Sequence, residues 1–159
     1  MTFATPTPTD HDDLIQADAR PTISNRLMAL GFFTPCATVL GLAAYLRPDS
    51  AGLGTHTQLG LPPCGFKLAT GVPCATCGCT TSFSHAANGS LLDAYITQPF
   101  GATLALLTAM TVIITGYALV TNMPLAPIGR IVFRPRTVVT LLILMVVSWG
   151  YSIYMHTSG

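Results

Sequence analysis

Charge is scarce in this chain. Its 159 residues include only 7 Lys+Arg and 6 Asp+Glu, 8% charged in all, where an ordinary soluble domain carries roughly 25%. That shortage excludes a surface wetted on every side. A formal net charge of +1 excludes the dense basic patch that nucleic acid requires, so no nucleic-acid partner is expected. Disorder along the whole chain is excluded too, because half of the residues are hydrophobic and the mean hydropathy is +0.57; disordered chains combine low hydrophobicity with high net charge.

The usual catalytic patterns are also missing. There is no acid/base pair, Ser-His-Asp set or phosphate loop, and nothing in the chain demands an enzyme. No ionisable residue interrupts the long apolar runs, where a transporter or proton pump would place one. Covalent haem attachment is disfavoured because Gly78, not His, follows Cys77.

What is present is apolar sequence in three uncharged stretches, 27–46, 100–121 and 137–155. Twenty helical residues rise about 30 Å, the thickness of a bilayer's hydrocarbon core. Helix is the expected state, since hydrocarbon cannot satisfy a free backbone group. Trp149, Tyr151 and Tyr154 gather toward one end of the third stretch, as interfacial anchors do. Pro35 falls inside the first and is a site for a kink. Gly101, Ala105 and Ala109 recur at four-residue intervals in the second and allow close helix packing, within the chain or against a membrane partner or second copy.

The expected fold is therefore an all-α integral membrane protein with three transmembrane helices. Residues 1–26 form a polar tail with Asp10, Asp12, Asp13 and Asp18, expected to be disordered. This tail lacks the layout of a cleavable signal, so the first span reads as a retained anchor. Residues 47–99 form an outer loop, 122–136 a basic connection and 156–159 a short tail. Arg20, Arg26, Arg130, Arg134 and Arg136 lie on one side of the membrane; Arg47 and Lys67 lie on the other. The positive-inside rule then places a multi-pass protein in the cytoplasmic membrane, with the N-terminus inside and the 47–99 loop outward.

That loop holds Cys64, Cys74, Cys77 and Cys79; Cys36 sits apart in the first span. Gly, Pro, Ser and Thr dominate 48–63, which reads as loop. Two short helices should follow the cysteines. The first runs from about Gly78 to Asn88. The second opens on a Ser90–Asp93 capping box and stops before Pro99. Both are too short to cross a bilayer, which implies a re-entrant or interfacial helical hairpin between spans 1 and 2.

Three chemistries suit these cysteines. One or two structural disulfides come first, as an oxidising compartment favours them. A redox dithiol of Cys74 and Cys77 comes second, with Cys77 placed just before a helix where the dipole stabilises a thiolate. A soft metal ion is third, the one cofactor the residues could hold. Cys74 and Cys77 would supply two ligands, with His85, Cys64 or Cys79 as others, but a complete second Cys-x-x-Cys pair is missing. Cys77, Thr81 and His85 share a helix face by spacing. His56 reads as a solvated loop residue, and Asp93 as serving its own helix N-terminus.

The run from Gly71 to Pro99 resembles the bacterial membrane family catalogued as domain of unknown function 2752. Its pattern is a Cys-Pro-x-Cys-Gly-x-Thr-Arg core, then a Gly-Asp-like turn, an alanine and Asn-Pro before an apolar span. Cys74, Cys77, Gly78 and Thr80 match the core; Gly89, Ala94 and Pro99 match the later landmarks. Ala75, Thr81 and Gln98 depart from it, and Thr81 in place of arginine removes a fixed charge beside the thiols. The resemblance implies a multi-span protein with this motif between spans, and no activity. The combined expectation is a non-enzymatic membrane component with a disulfide-locked hairpin that packs against partners. The alternative is a thiol-redox or metal-binding protein using Cys74 and Cys77.

Overall fold

The structure is a computed structural model, and it describes residues 23–49, 52–121, 123 and 134–157. The polar tail up to residue 22 and most of the basic connection lie outside the described residues. Three long helices carry the fold: α1 (Ile23–Tyr45), α5 (Pro99–Thr121) and α6 (Pro135–Thr157), each of 23 residues. All three are long and apolar enough to cross a membrane, at about 34 Å each from 1.5 Å per residue. α1 stays helical through Pro35. Between α1 and α5 lie a 3-10 turn (Thr55–Leu59) and three short helices, α2 (Gly65–Thr70), α3 (Cys79–Ala87) and α4 (Leu91–Thr97). No strand occurs among the described residues.

The burial pattern reverses that of a soluble core. Large apolar side chains point outward, Leu27 at 63%, Ile113 at 66% and Val147 at 63% exposed. Small residues fill the contacts instead: Ala29 and Ala43 on α1, Gly101, Ala102, Ala105 and Ala118 on α5, Ser148 and Ser152 on α6. Lipid tails are as apolar as leucine, so helices in a membrane gain little by hiding leucine and associate where small side chains let backbones approach. α5 is the central post, in contact with α1, α3, α4 and α6. Of the Gly101, Ala105 and Ala109 stripe seen in the sequence, Gly101 and Ala105 are buried and Ala109 is half-buried.

α3 and α4 form the hairpin expected between the first two spans, packed against α1 and α5. Its grip is polar. Ser82 donates its hydroxyl to the carbonyls of Ala94 (2.7 Å) and Gln98 (3.1 Å), and Ser84 donates to Leu46 at the end of α1. Each such bond contributes about 1 kcal/mol net. Gly101 lets α3 sit directly on α5: a Cβ there would lie 3.0 Å from Ser82 Cβ and 3.1 Å from Cys79 Cα. The outer faces of the short helices remain apolar and exposed, through Phe66, Leu68, Leu92 and Ile96, as suits elements lying at a membrane interface.

One local expectation is overturned. Ser90 stands at the N-cap of α4 but its side chain makes no capping bond. Its own N–H donates to the His85 carbonyl at 2.9 Å, so the donor that Asp93 would accept in a capping box is already taken. Asp93 lies in the first turn of α4, exposed. α4 stops at Thr97, and Gln98 before Pro99 is extended, with φ −160° and ψ 109°, as the crowding before proline requires.

Candidate thiol site

The cysteines sit where the 52–78 segment folds back over the base of α3. Cys64 occupies the N-cap position of α2, its carbonyl accepting from Leu68 N–H at 3.0 Å. The chain returns through Pro73 into a tight turn, where Cys77 N–H donates to the Cys74 carbonyl at 3.0 Å. Gly78 then swings the chain into α3 at φ 88°. That left-handed conformation suits glycine, and a Cβ would meet the Gly52 carbonyl oxygen at 3.2 Å and Leu53 at 3.3 Å.

This path brings the sulfurs of Cys64, Cys74 and Cys77 within 4.8 Å of one another. Cys74 Sγ and Cys77 Sγ are hydrogen-bonded at 3.3 Å, and Cys74 Sγ also meets Thr76 Oγ1 at 3.4 Å. No two of the five cysteines stand at disulfide distance, so the structure gives no support to the disulfide expected from an outward-facing cysteine loop. A disulfide needs sulfurs about 2.05 Å apart, and the Cys-x-x-Cys turn keeps its pair in hydrogen-bond contact instead.

The three thiols line a cavity of about 340 Å³ together with His56, Lys67, Thr76, Gly78, Thr80 and Thr81. Cys79 borders a separate, apolar cavity of about 240 Å³ with Val39, Leu42, Leu46 and Phe83. Thr80 lines both. His85 is on α3 but outside the thiol group, whose third member is Cys64. The four-residue face expected for Cys77, Thr81 and His85 fails at its first member, because α3 begins at Cys79 and Cys77 lies in the preceding turn. Gly89 turns the chain between α3 and α4 at φ 86° and does not line the thiol cavity.

The thiols differ in acidity. Burial pushes Cys74 up, but hydrogen bonds from Thr76, Cys77 and Cys64 outweigh it and bring it from 9.0 to about 7. Cys77 goes the other way: burial, then the neighbouring Cys74 and Cys64 sulfurs, push it up to about 12. Cys79 is raised to about 11, by burial first and then by negative charge on Cys74. The acidic thiol is thus Cys74 rather than Cys77. Cys77 is buried and separated from α3 by Gly78, so desolvation overrides the helix dipole.

Several supports of the site are long-range. Thr81, fully buried, shares a 2.8 Å hydrogen bond with Thr55, whose oxygen also accepts from Asp49 N–H at 3.0 Å. Gln98, 0% exposed, donates from Nε2 to the Ala75 carbonyl at 2.8 Å, while its Oε1 has no partner among the described residues. Trp149 on α6 donates to Pro73 and Tyr151 to Ile96. His56, read from sequence as a solvated loop residue, is half-buried on the 3-10 turn. No linear signal ties Trp149 or Thr55 to the cysteines; Gln98 stands at the Asn position of the family pattern, and its bond to Ala75 is seen only in the fold.

Fold and site define a class: a small, multi-pass helical membrane protein with a cysteine cluster between its first two spans. Residues 64–112 match the family model described as "Protein of unknown function (DUF2752)", the family that the cysteine core resembles. The match covers less than half of the chain and opens on Cys64. No curated protein and no solved structure matches.

Proposed function

We propose that this protein is a membrane-anchored soft-metal-binding protein whose ion is held by the thiolates of Cys64, Cys74 and Cys77. The observation that carries the proposal is the convergence of three sulfurs, one at the N-cap of α2 and two in the Cys74–Cys77 turn, within 4.8 Å of one another in the lining of one cavity. Metal–sulfur bonds of about 2.3 Å in a tetrahedral site place sulfurs ~3.8 Å apart. The observed spacing therefore needs only small side-chain adjustments. Thiolates select soft ions such as Zn²⁺ or Cu⁺ over Mg²⁺ or Ca²⁺. The metal would also replace the expected disulfide as the lock on the hairpin, since it ties Cys64 to the Cys74–Cys77 turn. By the positive-inside balance the site faces outward from the cytoplasmic membrane.

The test is metal analysis of the reduced, detergent-purified chain after exposure to Zn²⁺ or Cu⁺, beside C64S, C74S and C77S. One ion per wild-type chain, lost in all three variants, supports the site. A wild type that retains no ion, or a C64S variant that binds as well as wild type, overturns it.

A second reading rests on the 3.3 Å Cys74–Cys77 contact and the unequal acidity of the pair. These suit a dithiol in which the Cys74 thiolate attacks a disulfide of a partner and Cys77 resolves the mixed disulfide. The partner disulfide is then reduced to two thiols, and Cys74–Cys77 becomes the disulfide. A metal-free protein that exchanges reversibly with glutathione would favour this reading.

A further inference from the structure

We infer that His56 is the fourth ligand of the ion, making the site a Cys3His centre closed by the 3-10 turn. This inference rests on the three-thiol reading above and extends it to a residue outside the cysteine motif. Three thiolates leave one position of a tetrahedral ion open, and His56 lines the same cavity as the three thiols. Of the nitrogen and sulfur donors on that wall, Lys67 is an ammonium with no lone pair to give. His56 offers a neutral imidazole, the common partner of thiolates on zinc.

Cys79, the donor nearest in sequence, is ruled out by position. It lines the apolar cavity beside α1 and not the thiol cavity. His85 does not line the thiol cavity at all.

The turn that carries His56 is held in place on both sides of it. Thr55 is bonded to Thr81 and to Asp49 N–H. Gln58 accepts from Arg47 N–H at 3.2 Å and donates to the Arg47 carbonyl at 2.6 Å. The backbone is thus fixed, while the His56 ring has no hydrogen-bond partner among the described residues. Its nitrogens stand outside the group of three sulfurs that lie within 4.8 Å of one another, and ligation requires the ring to turn toward them across the shared cavity. Charge agrees with this assignment. Three thiolates on a divalent ion leave one negative charge, a neutral imidazole adds none, and Lys67 lines the same cavity.

The test uses the reduced full-length chain in detergent, loaded with Co²⁺ for optical spectra and with Zn²⁺ for X-ray absorption. Wild type should show sulfur-to-cobalt charge-transfer bands, and three sulfurs with one imidazole nitrogen around zinc. H56A should keep the charge-transfer bands, lose the imidazole scattering and bind Co²⁺ at least about tenfold more weakly, a loss no smaller than outer-shell changes cause. Added free imidazole should restore the wild-type spectrum. C79S should match wild type throughout.

An H56A spectrum and affinity equal to wild type, or a change in C79S instead, overturns the inference and leaves the three-thiol site standing. Absence of charge-transfer bands in wild type overturns the site itself. Because H56A is judged on bands that only a folded thiol cluster gives, misfolding cannot pass for loss of a ligand.

Discussion

Trp149 donates its indole N–H to the carbonyl of Pro73 at 2.9 Å, across 76 positions of chain. The third span is therefore bonded to the residue immediately before Cys74. The geometry of the thiols depends on a helix that carries none of them.

Trp149→Phe tests this coupling. The substitution keeps most of the ring but leaves the Pro73 carbonyl, on a buried residue, without its donor. The expected cost is about 1 to 3 kcal/mol, read as a lower unfolding temperature in detergent. Metal binding should weaken at the same time, because the Cys74 turn loses its outer brace. Unchanged stability and unchanged affinity would show that the contact is incidental.

Thiol acidity gives a pH profile for the metal-free protein. The Cys74 value lies below its ordinary 9.0, at about 7, so its thiolate appears as pH rises through 7. Alkylation at Cys74, followed by mass spectrometry, should be half-maximal near pH 7. Cys77 and Cys79, raised to about 12 and 11, should stay slow through pH 9. Thr76→Val removes a hydrogen bond that favours the charged form, so its Cys74 profile should move to higher pH. A wild-type midpoint at 9 would refute the assignment.

The packing of α3 on α5 predicts a contrast between two glycines of one helix. In Gly101→Ala the new methyl would press on Ser82 Cβ at 3.0 Å and on the Cys79 backbone at 3.1 Å. Overpacking of this kind costs roughly 1 to 3 kcal/mol. In Gly116→Ala it would meet only the Phe33 ring, at 3.4 Å, and stability should be unchanged or slightly raised by the better helix propensity of alanine. Thermal unfolding of the two variants side by side decides the matter; equal losses would contradict it.

Orientation has a separate test in cells. After reduction and chelation, a membrane-impermeant maleimide should label Cys64 and Cys74 in intact cells. Labelling confined to broken cells would invert the topology and place the thiols in the cytoplasm.

The spans were legible because their signal is composition over 20 residues, which no tertiary contact can mask. The hairpin was legible from punctuation, namely Gly78, Gly89 and Pro99. The thiol trio was half legible. Cys74 and Cys77 are joined by local turn geometry, but Cys64 reaches them only because α2 folds back. The apparent partner at helical spacing, His85, lost its place when α3 began two residues later than that spacing assumes. Acidity was not legible for a related reason: sequence shows nearness to a helix start and is silent on burial, the first cause that raises Cys77.

The clamp from α6 also has a consequence for synthesis. Pro73 and Ile96 emerge well before their partners Trp149 and Tyr151. At 5–20 residues per second, the 76 positions between Pro73 and Trp149 take roughly 4 to 15 s to translate. During that interval the cysteine turn has no brace from α6. The contact between Trp149 and Pro73 can close only after the third span has been made.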